Sequence, residues 1–175
     1  MKKTLFFFFS LLFLLLLPAC SSSKDVSLGV ETELKLPIGS ECKMDKDYVL
    51  VSGKTEGIMR EEMIGYFEDN PLGFSLWGKN HEAVMNDPVK TGDTIEITGH
   101  SETKRTIIII GDVTKDGKIS SLDYVATYNH VKGEEKFKKD EECMLAADID
   151  RNGKVNKTDI SLIREMVLDS ASSDE

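Results

Sequence analysis

Oxygen-bearing side chains recur at fixed intervals in the last third of this sequence. In the twelve residues from Asp112 to Asp123 they stand at positions 1, 3, 5, 9 and 12, as Asp112, Thr114, Asp116, Ser120 and Asp123, with Gly117 at position 6. The twelve residues from Asp148 to Asp159, 36 positions later (112 to 148), repeat the arrangement with Asp148, Asp150, Asn152, Asn156 and Asp159 around Gly153. A hard divalent cation takes six to eight oxygen ligands, and one short segment supplies that many only by coiling around the ion. Glycine at the sixth position permits the sharp turn such coiling needs. The chemistry implied is cation binding, with the backbone carbonyls of Lys118 and Lys154 completing each set at position 7.

These are the ligand positions of an EF-hand calcium loop, so two Ca2+ ions are expected. A single match is compatible with a surface Asp-Gly turn, but two in register make that reading remote. Leu122, Val125 and Tyr128 follow the first loop, and Ile160, Ile163, Met166 and Val167 follow the second, at helical spacing. Each loop is therefore expected to feed an amphipathic helix. Ile119, at loop position 8, is expected to pair with its counterpart in the second loop.

The runs Gly111 to Ser120 with Asp123, and Ala146 to Asn156 with Asp159, resemble the type I dockerin family, and the resemblance extends from Gly111 to about Asp169. Aspartate rather than glutamate at position 12, and the lack of an entering helix before the first loop, separate this pattern from an ordinary EF-hand sensor. The resemblance implies a domain that folds on binding two calcium ions and docks its helices onto a cohesin module of a scaffold protein. It further implies that loop positions 10 and 11 and exposed positions of the following helix face the partner. Those are Ser121, Leu122, Tyr128 and Asn129 in the first repeat, and Lys157, Thr158, Arg164 and Glu165 in the second. The two sets differ, so one of two docking modes related by a 180° rotation is expected to be preferred; Leu122 has core packing as an equal alternative. Thr114 stands where the family usually has Asn or Asp, and the first site is expected to bind calcium more weakly than the second.

The elements that precede the loops read as a small mixed domain. Tyr48 to Val51 and Phe74 to Trp77 are expected strands, and Ile58 to Glu68 an expected helix ended by Asn70-Pro71. Thr94 to Ile97 and Thr106 to Ile110 are expected to form a hairpin around residues 99–105, with the four isoleucines on a central strand. The fold class expected is α+β, a small mixed N-terminal domain followed by an all-α dockerin-like domain of two loop-helix repeats. The divisions are a signal segment 1–19, a tether and extension 20–47, the mixed domain 48–110, the dockerin-like domain 111–169 and a tail 170–175. No linker separates Ile110 from Asp112, the first ligand.

Met1-Lys2-Lys3 followed by an apolar run from Leu5 to Leu17 reads as a secretory signal. Its end, Leu17-Pro18-Ala19-Cys20, resembles a bacterial lipoprotein signal from which Pro18 departs, which implies lipidation of Cys20 and a place on the outer face of the cell membrane; the alternatives are release after ordinary cleavage and an uncleaved anchor. With 31 acidic against 22 basic side chains, the formal charge is -9, which disfavours nucleic acid as a partner. Cys42 and Cys143 are the remaining thiols, left open between a bridge and two separate thiols. No motif sets a nucleophile beside His81 or His100, the glutamates Glu56, Glu61, Glu62 and Glu68 read as a solvated helix face, and Trp77 beside Phe74 reads as core. The expectation is a calcium-dependent interaction module, not an enzyme, tied to polysaccharide degradation through its cohesin partner. Two alternatives are a calcium-stabilised structural or ligand-binding lipoprotein with no cohesin, and a component of a glycoside hydrolase system.

Overall fold

The computed structural model describes residues 33–40, 42–45, 47–134, 137 and 140–171. The signal segment, Cys20 and the end of the tail lie outside the described residues. Strands β1 (Lys43–Met44), β2 (Tyr48–Ser52), β3 (Phe74–Trp77), β4 (Thr94–Ile97) and β5 (His100–Ile110) form one sheet, with α1 (Arg60–Gly65) between β2 and β3. Helices α2 (Ser121–Lys132), α3 (Glu141–Ala147) and α4 (Lys157–Ala171) follow. The sheet order is β1-β2-β5-β4-β3, in which β2 and β5 run parallel and the other neighbours antiparallel. Among the described residues no helix is long and apolar enough to cross a membrane.

Strand β5 explains its own sequence. Successive side chains of a strand point to opposite faces, so an unbroken apolar run is stable only where both faces are covered. Ile107 and Ile109 enter a core with Val49 and Val51 of β2, Met63 of α1, Phe67, Ile95 and Ile97. Ile108 and Ile110 enter a second core, on the other face, with Ile119, Ala146, Ala147 and Ile163. All four isoleucines are buried, which makes β5 the central strand its composition predicts.

That second core corrects the expected fold class. The C-terminal part is not an all-α unit: the described residues form a five-stranded mixed sheet and four helices, and Ile108, Ile110 and the half-buried Tyr48 and Leu50 share one core with residues of α2, α3 and α4. The reason is one of apolar supply. Helix α3 buries little beyond Ala146 and Ala147, and α4 has Ile163 as its fully buried apolar side chain, so three short helices need the sheet to close a core.

Local boundaries differ as well. The β4–β5 hairpin turns at Thr98-Gly99 rather than across residues 99–105, because Gly99 adopts a positive φ of 83° and pairs Ile97 directly with His100. The register shift between Ile95 and Ile97 is bridged by Thr103, whose Oγ1 accepts the Ile97 N–H at 2.9 Å. Helix α1 is shorter than the expected span of 58–68. On α2 the expected apolar face is the outer one: Leu122, Val125 and Tyr128 are 62%, 47% and 36% exposed, whereas the buried residues are Asp123 and Thr127. Ile119 and its counterpart Val155 share one core, yet no β-bridge joins them among the described residues; the Ile119 N–H goes to the Lys54 carbonyl at 3.2 Å.

Candidate metal centre

The two loops have the same backbone signature. Position 4 is left-handed in both, at Lys115 (φ 61°) and Arg151 (φ 57°), and position 6 follows with Gly117 at 88° and Gly153 at 83°. A side chain in that region costs about 1 kcal/mol, so its recurrence at equivalent positions marks a curl that the surrounding bonds enforce.

Those bonds come from the carboxylates at positions 1 and 12. Asp148 Oδ1 accepts the Asn152 N–H at 3.0 Å and Oδ2 the Gly153 N–H at 2.7 Å. Asp112 Oδ1 likewise accepts the Asp116 N–H at 2.9 Å. At position 12, Asp159 accepts from Ile149 (2.9 Å) and Asn156 (2.8 Å), and Asp123 from Thr114 (2.9 Å) and Ser120 (2.8 Å). Both position-12 aspartates are fully buried. In the first loop the arrangement doubles as a helix start: Ser120 is the N-cap of α2 and Asp123 its N3 residue, each bonding the other's end of a capping box. Loop closure and helix nucleation are one device there.

The donor sets differ in how closely they converge. In the second loop, carboxylate oxygens of Asp148, Asp150 and Asp159 lie within 4.8 Å of one another, the only such trio among the described residues. Asn152 adds a side-chain oxygen, although its Nδ2 bonds Asp150 at 2.7 Å, and Asn156 Nδ2 meets the Lys154 carbonyl at 3.1 Å. In the first loop Asp112 is buried and Asp116 exposed, while the hydroxyls of Thr114 and Ser120 both donate to Asp123, at 2.8 and 3.1 Å. The all-oxygen, carboxylate-rich composition fits a hard cation such as Ca2+ in both loops, with the second the more nearly gathered. Lys118 and Lys154 are exposed at position 7.

Contacts invisible from the spacing attach the first loop to the sheet. Asp112 Oδ2 accepts the Thr91 N–H at 2.9 Å, and Thr91 Oγ1 accepts the Ile109 N–H at 3.0 Å. Burial raises the Asp112 carboxyl above its ordinary value, opposed by the N–H groups of Thr91 and Gly117. Gly117 sits so close to this segment that a Cβ there would meet the Val89 carbonyl at 3.0 Å. On the other side Lys115 bonds Asp140 (2.8 Å) and Glu142 (2.6 Å) of the α3 end; burial opposes its charge, but those bonds hold the ammonium pKa up. Nothing in the sequence marked Thr91, because a backbone N–H carries no residue signature.

Of the expected partner-facing residues, Ser121, Leu122, Tyr128, Lys157, Thr158, Arg164 and Glu165 are exposed and Asn129 half-buried. Cys42 and Cys143 lie in the cores on opposite faces of the sheet and are not bridged to each other. Burial pushes the Cys143 thiol up to about 11, and its Sγ donates to the Val113 carbonyl at 3.4 Å. Among the glutamates near α1, Glu62 is held by Lys54 and the Tyr66 hydroxyl.

No curated protein and no solved structure matches the chain. Residues 110–168, the segment that holds both loops, do match the dockerin type I domain.

Proposed function

We propose that the chain docks a cohesin-type module of a scaffold protein through α2 and α4, with one Ca2+ ion in each loop. A dockerin is a calcium-dependent protein-docking module rather than a catalytic one, so the family match supports the class of activity. The observation that carries the reading furthest is the exposed row Leu122, Val125 and Tyr128. Apolar side chains three apart on a helix share a face, and here that face points away from the core that α2 helps to close. The residues offered by the second repeat, Lys157, Thr158, Arg164 and Glu165, are polar, so the surface is asymmetric and favours one docking orientation. Ca2+ in the loops would be held by Asp112, Thr114, Asp116, Lys118, Ser120 and Asp123, and by Asp148, Asp150, Asn152, Lys154, Asn156 and Asp159; it would fix the relative placement of α2 and α4.

The apolar leader and Cys20 support display on the outer face of the membrane, with a partner in polysaccharide breakdown as the corresponding setting. A second reading, in which calcium only stiffens an extracellular ligand-binding protein, is favoured by the bond from Thr91 to Asp112. Calorimetric titration with CaCl2, followed by capture on immobilised cohesins of the source organism with and without chelator, separates the two. Two ions and calcium-dependent capture support docking; ion uptake without capture by any cohesin leaves the stiffening role.

A further inference from the structure

An open cavity of about 440 Å3 is lined by Trp77, His81, Glu96, Ser101 and Lys104. Trp77 belongs to neither core, contrary to its expected place beside Phe74. Its Nε1–H donates to Glu96 Oε1 at 3.1 Å, a bond along one face of the sheet between β3 and β4 that fixes the indole and leaves the second oxygen of Glu96 without a bond to Trp77. Among the described residues no other aromatic ring stacks on it. His81, Ser101 and Lys104 are exposed at the rim. His81 is held at a φ of 62° in the turn closed by the Gly78 N–H on the Glu82 carbonyl (2.8 Å). A non-glycine residue kept in that region stores strain, which concentrates at ligand-binding positions.

We infer that this cavity is a subsite for one sugar ring of a neutral oligosaccharide. A pyranose has an apolar C–H face and an equatorial edge of hydroxyls that both donate and accept. The indole supplies an apolar platform with a polar handle, Glu96 an acceptor, Lys104 a donor, and Ser101 and His81 groups of either kind. One carboxylate against one ammonium gives the cavity no net charge, which disfavours phosphate or a polyanionic glycan and suits an uncharged polyol. The site lies on the sheet, away from the calcium loops, and does not depend on the docking proposal.

Trp77 is the single tryptophan of the chain, so tryptophan emission, excited at wavelengths the four tyrosines do not absorb, reports this cavity alone. The test titrates the calcium-loaded chain with cellohexaose, xylohexaose and mannohexaose. At least one should shift or quench the emission with a dissociation constant of about 10 μM to 1 mM, and calorimetry should return the same constant. Trp77→Ala should weaken the calorimetric signal at least tenfold, and Glu96→Gln and Lys104→Ala should each weaken it several-fold while leaving the melting temperature near that of the parent. Flat fluorescence and heat with all three sugars overturns the assignment, as does binding that Glu96→Gln and Lys104→Ala both leave unchanged.

Discussion

At the scale of single residues, the two loops make a ranked prediction. Asp148 organises its loop through two backbone N–H groups and sits in the gathered carboxylate trio, whereas Thr114 is exposed and bonds only through Asp123. Asp148→Ala should therefore lower calcium affinity at its site at least tenfold more than Thr114→Ala does at the first, read by calorimetry; equal losses would remove the ranking. A second residue-scale effect lies outside the loops. Asp93 is buried, and that burial raises its carboxyl to about 6 from an ordinary 3.8, opposed by the Lys90 N–H. The folded chain then keeps a proton that the unfolded chain has released between about pH 4 and pH 6, so this group's contribution to stability falls as pH rises through that window. Asparagine preserves an acceptor for the Lys90 N–H and has no charge to bury. At fixed calcium, Asp93→Asn should gain on the order of 1 kcal/mol relative to the parent at pH 7 and little at pH 4, measured as denaturant midpoints; parallel pH profiles for the two proteins would contradict it.

At the scale of elements, the contrast between two glycines tests how tightly the layers meet. Gly53 follows β2, and a Cβ there would run into the Ile110 carbonyl and meet Ile119 Cδ1 at 2.5 Å, so backbone must move. Gly65 closes α1 with nothing within 4 Å of the added carbon. Gly53→Ala should cost about 1 to 3 kcal/mol and Gly65→Ala should gain up to about 1 kcal/mol, both by chemical denaturation; a neutral Gly53→Ala would mean that the β2–loop contact is loose. The same contact shows where sequence reading succeeds and stops. The turns of the two loops and the helices after them were legible because oxygen-bearing residues, glycine and apolar residues recur there at fixed spacings. The isoleucine run announced a strand covered on both faces. What covers it was not legible, since Ile108 and Ile110 meet α3 and α4 through pairings far apart in the chain. Likewise the periodicity of Leu122, Val125 and Tyr128 reveals a helix but not which side of it faces solvent.

At the scale of the whole molecule, the shared core and the Thr91 bridge make one prediction about calcium removal. Six carboxylates surround the two candidate sites, and their mutual repulsion without a cation works against the curled loops. If the helices formed a separate unit, chelation would loosen α2 and α4 and leave the sheet as it was. Here Ile108 and Ile110 are buried only while Ala146, Ala147 and Ile163 stay in place, and Thr91 links Asp112 to the Ile109 N–H through one residue. Loss of the ions should therefore reach the central strand. Hydrogen exchange of the Ile107 to Ile110 amides should accelerate in chelator by a factor comparable to that of the α2 and α4 amides, because both report the same opening. The α1 side of the sheet packs against its own core and should gain less. Exchange at β5 that is indifferent to chelator, alongside fast exchange in α2 and α4, would establish that the helical layer opens without disturbing the sheet beneath it.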